Sequence, residues 1–327
     1  MSTPPEMLII TRREIRREMQ PADYLEGVEI GFRAGAMGKA DAPHPMHIPV
    51  ARGGFHAKGA SISLGRDYVA VKINGNFPGN PVKHGLPTIQ GAIFLADGSN
   101  GAVLAIIDSV EVTIQRTAAA SALAAKLLAR PDSATLLICG CGEQGHAHAA
   151  SLHEILPITR CLFWDSENGA AQSLAADLDG TAVQDLKSAA EQADVIACCT
   201  TAREPFLDIG MVRPGTFVAA IGADSPDKNE TAPALLAATT VVTDVTTQCA
   251  EMGDLHHAVA AGVMTTADVD AELGELLVGE KAGRTSPDEI IIFDSTGTAL
   301  QDVAVAAAIY ERFRGDASVQ SVAFSAL

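Results

Sequence analysis

Short apolar runs alternate with helical stretches through the middle of the chain. Residues 143–156 and the segment "ENGAAQSLAADL" have the spacing of amphipathic helices. The apolar runs between them predict strands, which are "TLLIC" (135–139), "RCLFW" (160–164), "ADVIACCT", "GTFVAAIG", "TTVVTD" and "DEIIIFD" (288–294). Strands that alternate with helices form βαβ units, because two parallel strands need a crossover connection. The pattern therefore predicts an α/β fold built on a doubly wound parallel sheet.

The first 115 residues follow a different pattern, with more Gly and Pro and with strands such as "AIFLAD" and "AVLAIID" joined by "GSNG". This pattern predicts antiparallel pairing and a second, α+β domain. The alanine-rich segment 116–130 predicts a helix that links two domains. We expect the last helix, "ALQDVAVAAAIYERF", to return to the first domain. The predicted domains are therefore residues 1–116 with 299–327 and residues 117–298.

Lys72 interrupts an apolar strand in "YVAVKI", which the turn signals of "NGNFPGNP" are expected to end at once. An ammonium group in a sheet loses hydration unless an anion meets it. Lysine is rarely buried without a partner, so this stretch by itself favours a solvent-facing lysine on an edge strand. A buried, functional lysine is the alternative, and residues elsewhere in the chain must decide between the two.

The charge of the chain limits its partners. Against 40 Asp and Glu stand only 23 Lys and Arg, which gives a net charge of −17. That charge repels phosphate backbones and anionic membranes. Aromatic residues make up 4% of the chain, which argues against stacking platforms for single-stranded nucleic acid. We expect no nucleic-acid or membrane partner.

Neither a signal peptide nor a transmembrane helix is expected, since no apolar run is long enough and the N-terminal apolar stretch is followed by arginines and glutamates. The six cysteines lie in apolar segments such as "LLICGCG" and "VIACCTT" without metal-ligand spacing. These features predict buried thiols and a cytoplasmic protein. The pairs His146/His148 and His256/His257 match no complete ligand set, so no metal is predicted.

A glycine-rich loop carries the clearest chemistry. Gly140, Gly142 and Gly145 form a G-x-G-x-x-G pattern directly after a strand and at the start of a helix. In this context the pattern predicts a Rossmann-type site in which backbone N–H groups and the helix N-terminus hold a pyrophosphate. The next strand ends at Asp165, where a carboxylate would accept hydrogen bonds from the adenosine ribose and repel a 2′-phosphate. NAD(H) is therefore predicted over NADP(H), although Asp165 could also cap the following helix.

Two further strands end in polar residues, Asp224 after "FVAAIG" and residues 295–297 after "IIIFD". Ligands bind at the carboxyl ends of strands in such sheets. Each of these positions could instead be a simple cap.

Nearly the whole chain resembles the ornithine cyclodeaminase/mu-crystallin family of nicotinamide-dependent enzymes. The matching segments are "VKINGNFPGN", "GLPTIQG", "QRTAAASALAAKLLARPDS", "ICGCGEQ", "IGADSPDKNE" and "FDSTGTALQD". The resemblance implies a homodimer built through the N-terminal domain. It also implies activity on small α-imino or α-amino acids, because that family contains ornithine cyclodeaminase, alanine dehydrogenase and imino acid reductases.

The resemblance also implies roles for individual residues. Lys72 corresponds to an active-site lysine beside the substrate carboxylate and reacting nitrogen, and Asp224 to an acid near that nitrogen. Arg116 corresponds to the arginine that binds the substrate carboxylate, a task suited to a bidentate guanidinium. Arg52 is a candidate second carboxylate ligand. The predicted cofactor-binding residues are Thr88, Thr117, Gly140, Cys141, Gly142, Glu143, Gln144, Gly145, Asp165, Thr200 and Ser295.

Three functions stay open at this point. The first is NAD(H)-dependent reduction of an α-imino acid to the L-amino acid, or its reverse, with Lys72 as proton donor. The second is ornithine cyclodeamination to proline and ammonia. Against it, His56 stands nearest to the position at which cyclodeaminases resembling this chain carry a glutamate, with Lys58 beside it. Two basic residues there suit a polar or acidic substrate tail better than a distal ammonium, and a solvated loop is the alternative. The third is a non-enzymatic, crystallin-like binding protein.

Overall fold

The computed structural model describes residues 6–324 of the 327-residue chain. These residues form two compact units, which we call unit 1 (residues 6–116 with 298–324) and unit 2 (residues 117–297). The boundary at residue 116 falls inside one long alanine-rich helix, Ser109–Leu128. Alanine has the highest helix propensity, which favours an uninterrupted helix there.

Unit 1 is built on a mixed sheet. Its strands are β1 (Met7–Ile10), β2 (Ala40–Asp41), β3 (Met46–Val50), β4 (Gly53–Ser63), β5 (Asp67–Asn76), β6 (Ile89–Asp97), β7 (Val103–Asp108) and β16 (Gln320–Val322). The sheet order is β16-β1-β7-β6-β5-β4-β2, and β3 pairs with β4. Only the β1–β7 pair is parallel among the strand pairs described for this sheet. The predicted hairpin of "AIFLAD" and "AVLAIID" is thus the antiparallel pair β6–β7.

The two faces of this sheet differ. The helices of unit 1 are α1 (Arg12–Glu18), α2 (Pro21–Ala36), α3 (Asn80–His84), the first part of α4 (Ser109–Leu128) and α12 (Ala299–Phe313). Helix α12 packs against β4, β5 and α2, and it covers the face that carries Tyr68 and Ala70. On the opposite face, large apolar side chains stay exposed, among them Ile48, Ile73 and Phe94. One face is therefore a core and the other an apolar surface.

Strand β5 is longer than the sequence predicts. The turn expected at residues 74–76 is wrong, because these residues pair with β4 on one side and β6 on the other. Gly75 packs between the rings of Phe55 and Phe77, where a side chain would have little room. The chain turns only after Phe77, so the Asn-Gly-Asn signal was overridden by pairing with two neighbouring strands.

Unit 2 contains a parallel sheet with helices between its strands. The strands are β8 (Thr135–Cys139), β9 (Arg160–Trp164), β10 (Thr181–Ala182), β11 (Val195–Cys198), β12 (Phe217–Ala220), β13 (Thr240–Thr243), β14 (Ala271–Glu272) and β15 (Ile291–Asp294). The helices after α4 are α5 (Glu143–Ile155), α6 (Asn168–Asp177), α7 (Leu186–Ala190), α8 (Pro233–Ala237), α9 (Thr246–Met252), α10 (Asp254–Ala260) and α11 (Leu273–Val278).

The order of this sheet is β10-β9-β8-β11-β12-β15-β13-β14, and every described pair in it is parallel. The chain moves outward from β8 to β10 and then crosses back to β11 on the other side of β8. This reversal is the switch point at which doubly wound sheets bind their ligands. The predicted α/β fold, a Rossmann-type parallel sheet with a second α+β domain, is confirmed. No helix among residues 6–324 is long and apolar enough to span a membrane.

Candidate active site

A buried ion cluster lies in unit 1 between β5 and α12. Lys72 is only 4% exposed, and its Nζ lies 2.9 Å from Oδ1 and 2.8 Å from Oδ2 of Asp302. The ammonium also donates to Oγ1 of Thr113 at 3.2 Å. The reading of Lys72 as a solvent-facing residue on an edge strand is therefore wrong. Strand β5 has a neighbour on each side, and Asp302 supplies the anion that a buried ammonium needs.

Arg116 binds the same carboxylate. Its Nε donates to Oδ1 of Asp302 at 3.1 Å, and its Nη1 donates to Oε1 of Gln301 at 2.7 Å. The side chains of Arg116 and Asp302 are nearly inaccessible, 5% and 2% exposed. Gln301 Nε2 is buried without a hydrogen-bond partner among residues 6–324, which leaves one amide donor in this cluster to be satisfied. One carboxylate thus pairs with two buried basic side chains, and the cluster has a net positive charge when Lys72 is protonated.

Burial and the charges within the cluster shift the pKa values of Lys72 and Asp302. Burial, assisted by the positive charge of Arg116, lowers the pKa of Lys72 to about 7, although Asp302 acts in the opposite direction. Burial alone would raise the pKa of Asp302, but Lys72 and Arg116 outweigh it and hold that pKa below its usual value. Lys72 can therefore gain and lose a proton near neutral pH while Asp302 stays ionised.

Sequence reasoning missed Asp302. A usable signal was present, because Asp302 is the one acid in the first two turns of an otherwise alanine- and valine-rich helix. A carboxylate on a helix that is buried on nearly all sides requires a cationic partner. The partner itself could not be read from the sequence, since 230 positions separate Lys72 from Asp302.

Further basic side chains lie on the same face of the sheet as Lys72. Lys58 is directly opposite Lys72 in the β4–β5 pairing, and side chains two residues apart on a strand share a face, so His56 lies there too. The His56 ring stacks on that of His47 with their centroids 4.4 Å apart. Arg52, by contrast, lies exposed in the turn between β3 and β4. The face that carries Lys72 is therefore rich in basic side chains.

The glycine-rich loop of unit 2 has the backbone geometry that a dinucleotide requires. Gly140 has φ +95°, a left-handed conformation suited to a tight turn. A Cβ on Gly145 would lie 2.1 Å from the carbonyl oxygen of Gly140, so α5 can approach the loop only because this residue is glycine. A Cβ on Gly142 would meet open space, which is where a pyrophosphate has to approach the backbone. The loop therefore fits the cofactor.

Asp165 lies beside this loop, directly after β9. Its Oδ2 accepts a hydrogen bond from the backbone N–H of Cys141 at 2.8 Å, and its Oδ1 accepts one from Glu167 N at 2.8 Å. Helix α6 begins at Asn168 with Glu167 as its N-cap residue, so Asp165 is not the helix cap. Its carboxylate joins the end of β9 to the phosphate loop, which is a suitable place to accept from ribose hydroxyls.

Other residues of the loop are less informative. Burial raises the pKa of the Cys141 thiol to about 12, so it is not a nucleophile at neutral pH. Gln144 Oε1 is buried without a hydrogen-bond partner among the described residues, and Glu143 is exposed in the first turn of α5.

Two predicted cofactor-binding residues lie outside the glycine-rich loop. Thr117 is buried in α4. Thr88, in unit 1, accepts a hydrogen bond from Phe77 N through its carbonyl oxygen at 2.8 Å.

Three more predicted residues follow strands of the parallel sheet. Thr200 comes two residues after β11, and both its N–H and its hydroxyl donate to the buried Glu230. Ser295 follows β15, and its hydroxyl donates to Oδ2 of Asp244 at 2.8 Å. Asp224 lies in the loop after β12, where its half-exposed carboxylate is 2.5 Å from Nζ of Lys228. All three lie at the carboxyl ends of their strands.

Buried carboxylates at this edge were also missed from the sequence. They are Glu230, Asp244, Asp254 and Asp294, each no more than 2% exposed. Burial and the charge of Asp254 raise the pKa of Glu230 to about 8, and burial raises that of Asp254 to about 6. Each accepts hydrogen bonds from backbone N–H groups, those of Asp294 coming from the first turn of α10 and the others from neighbouring loops. They hold the loops that follow the strands.

The predicted absence of a metal rested on the histidine pairs. His148 is buried in unit 2, with Nε2 at 2.9 Å from Ser121 Oγ and Nδ1 at 2.8 Å from the Gln144 carbonyl oxygen. His256 and His257 contact backbone carbonyl groups. Over residues 6–324, no group of three or more His, Cys, Asp or Glu side chains is arranged to hold a metal ion.

Comparison with known proteins relates this geometry to a family. The sequence model of the ornithine cyclodeaminase/mu-crystallin family matches residues 6–317. Alanine dehydrogenase of Archaeoglobus fulgidus is 35% identical over 309 residues, which cover 94% of this chain and 95% of that protein.

Two solved structures extend the comparison. An archaeal alanine dehydrogenase dimer with bound NAD superposes with a TM-score of 0.93 at 34% identity, covering 98% of this chain and 99% of the other. The Δ1-pyrroline-2-carboxylate reductase of Thermococcus litoralis, in complex with NADH and L-proline, gives a TM-score of 0.91 at 29% identity, covering 97% and 100%. With a family match over nearly its whole length, the chain belongs to the ornithine cyclodeaminase/mu-crystallin family.

Proposed function

We propose that the protein is an NAD(H)-dependent oxidoreductase that reduces a small α-imino acid to the L-amino acid, or runs the same reaction in reverse. The observation that carries this proposal is the buried Lys72–Asp302–Arg116 cluster, in which a lysine with a pKa near 7 lies beside a guanidinium. Such a pair can bind a carboxylate and exchange a proton with the neighbouring nitrogen. The glycine-rich loop with Asp165 supports NAD(H) as cofactor, as do the NAD and NADH bound in the two related structures.

The chemistry assigns a task to each group. NADH, when bound, supplies a hydride to the imine carbon, and the nitrogen gains one proton. Arg116 binds the substrate carboxylate and so fixes the orientation of the α-carbon. Lys72 donates the proton as the C=N bond becomes an amine, and Asp302 keeps Lys72 and Arg116 in place. Asp224 stabilises the positive charge of the iminium or ammonium group.

The residues that bind the cofactor are assigned in the same way, each by the part of NAD(H) it would contact. Backbone N–H groups at Cys141, Gly142 and Glu143 and the N-terminus of α5 bind the pyrophosphate. Gly140, Gln144 and Gly145 shape that loop. Thr88, Thr117, Thr200 and Ser295 complete the proposed cofactor-binding set.

The substrate tail is expected to meet basic side chains. Lys58 and His56 share a face of the sheet with Lys72, and we assign them, with Arg52, to the substrate side. Basic side chains repel the distal ammonium of ornithine and favour a polar or acidic tail. This arrangement favours imino acid reduction over ornithine cyclodeamination.

A panel assay of NADH oxidation tests the proposal. The purified protein is given pyruvate with ammonia or methylamine, pyrroline-2-carboxylate, piperideine-2-carboxylate or iminosuccinate, while NADH absorbance is followed. We expect turnover with at least one of them. L-Ornithine with catalytic NAD should release no ammonia; its conversion to proline without net change in NADH would place the protein in the cyclodeaminase branch. A crystallin-like binding protein would oxidise no NADH with any of these substrates.

Cofactor preference gives a separate prediction. NADH should be used better than NADPH, because Asp165 repels a 2′-phosphate. Replacing Asp165 with serine should erode that preference mainly through the KM for the cofactor. Steady-state kinetics with both cofactors measure this, and equal or better use of NADPH by the unmodified protein would contradict it.

The assembly and the compartment are also part of the proposal. The exposed apolar face that carries Ile48, Ile73 and Phe94 is suited to bury against a second copy of the chain, which supports a homodimer. A related alanine dehydrogenase is described as a dimer. Light scattering would show the mass of a monomer if the protein does not form a homodimer.

All six cysteines are free thiols, which supports a reducing cytoplasm.

A further inference from the structure

Glu230 joins two loops of unit 2 that follow neighbouring strands. Its Oε1 accepts hydrogen bonds from the N–H of Thr200 at 2.6 Å and from the Thr200 hydroxyl at 2.7 Å. Its Oε2 accepts one from the N–H of Gly222 at 2.7 Å. Thr200 follows β11, and Gly222 follows β12. The side chain is fully buried, so both loops are held by one carboxyl group that water cannot replace.

The joined loops lie at the switch point of the sheet. A Cβ on Gly140 would lie 2.8 Å from the carbonyl carbon and oxygen of Cys199 and 3.0 Å from Cγ2 of Thr200. The phosphate loop after β8 is therefore in direct contact with the loop after β11. A Cβ on Gly222 would lie 2.1 Å from the carbonyl oxygen of Thr200 and 2.6 Å from Oε1 of Glu230, so the two joined loops also touch each other.

The positions of β11 and β12 in the sheet indicate which half of a dinucleotide the loops after them would bind. In a sheet of this order, each half is a mononucleotide-binding unit. Strands β8 and β9 carry the glycine-rich loop and Asp165, which belong to the adenosine half. Strands β11 and β12 belong to the other half, and they carry Thr200 and the loop with Asp224.

We propose that Glu230 is a positioning residue that holds the loops after β11 and β12 in the conformation that binds the nicotinamide half of the cofactor. Glu230 is buried and touches neither substrate nor cofactor; it acts through Thr200 and Gly222. The proposal rests on the NAD(H) dependence proposed above.

Glutamine cannot replace Glu230 in this role. Two backbone N–H groups point at the two carboxyl oxygens, and an oxygen accepts a hydrogen bond whether or not the carboxyl group is protonated. A glutamine amide has one oxygen and one NH₂ group. Whichever way it is turned, its NH₂ group faces the N–H of Thr200 or of Gly222. One loop is then released while side-chain volume is kept.

The test compares two ligands by isothermal titration calorimetry. NADH engages both halves of the site, whereas ADP carries the adenosine half and the pyrophosphate but neither the second ribose nor the nicotinamide. In Glu230→Gln the Kd for NADH should rise about ten-fold, the scale of one lost buried hydrogen bond, while the Kd for ADP should not change.

Asp194→Asn is the matched control. Asp194 is also a buried acid: its Oδ2 accepts backbone N–H bonds from Ala134 and Thr135, and its Oδ1 accepts from Arg130 and Arg213, which an asparagine NH₂ cannot do. It directly precedes β11 and so lies at the opposite edge of the sheet. Its loss should lower stability and leave the ratio of the two Kd values unchanged. If Glu230→Gln does not fold, Glu230→Asp keeps both oxygens on a side chain too short to reach both loops, and it should weaken NADH binding selectively.

The titrations distinguish failure of the positioning role of Glu230 from failure of the proposed function. Equal weakening of both ligands, or of neither, in the Glu230 variants would overturn the positioning role while leaving the cofactor proposal intact. Failure of the unmodified protein to bind NADH would instead overturn the proposed function.

Discussion

Replacing Lys72 with alanine should lower turnover of the α-imino acid by a factor of about 10² or more, the usual scale for a general acid–base group. Binding of NADH should be nearly unchanged, because the cofactor-binding loop belongs to unit 2. The measurement is kcat with a saturating imino acid, together with the Kd for NADH. Lys72→Met is the companion variant, since it keeps most of the buried volume. Most of the activity surviving in both folded variants would remove Lys72 from the mechanism.

The pH dependence of the unmodified protein follows from the same residue. The pKa of Lys72 is lowered to about 7, so the ammonium that donates the proton is present below that pH and lost above it. For imine reduction, kcat/KM should therefore fall as the pH rises through about 7. The reverse oxidation needs the neutral amine and should rise over the same range.

Replacing Asp302 with asparagine should be the most destabilising of these changes. Asparagine leaves Lys72 and Arg116 buried without a counter-ion, and breaking such a buried cluster costs roughly 3–5 kcal/mol of unfolding free energy. Without the carboxylate, the pKa of Lys72 falls further, so the fall of kcat/KM with rising pH should begin at lower pH. Urea unfolding and a pH profile measure the two effects.

A surface pair provides the control for that prediction. Lys187 and Glu191 are four residues apart on exposed side chains, with their charged atoms 3.9 Å apart. Such pairs contribute about 0.2–1 kcal/mol at most, so Glu191→Gln should leave both stability and the pH profile close to those of the unmodified protein. Equal stability of Asp302→Asn and Glu191→Gln would contradict the account of the buried cluster.

Local patterns were enough to predict the parallel sheet and its loop. The strand "TLLIC", the three glycines after it and the helix from Glu143 are consecutive in the chain, so their geometry follows from short-range rules. Gly140 and Gly145 occupy positions that only glycine tolerates, which is why the sequence pattern was informative.

The burial of Lys72 could not be predicted from its own strand. The anion that makes burial possible lies on α12, near the other end of the chain, and pairing over such separations has no local pattern. The same reason explains why Asp302 and Glu230 were missed. Each acts through partners brought together only by the folded sheet, Lys72 and Arg116 in one case and Thr200 and Gly222 in the other.

Transfer of a labelled hydride tests the central claim most directly. The protein is given NADH that carries deuterium at the transferable position of nicotinamide C4, together with the α-imino acid it turns over fastest, and the product is analysed by mass spectrometry. We expect an L-amino acid with one deuterium on its α-carbon for each NADH oxidised. An amino acid without deuterium, or NADH oxidation without an amino acid product, would contradict it.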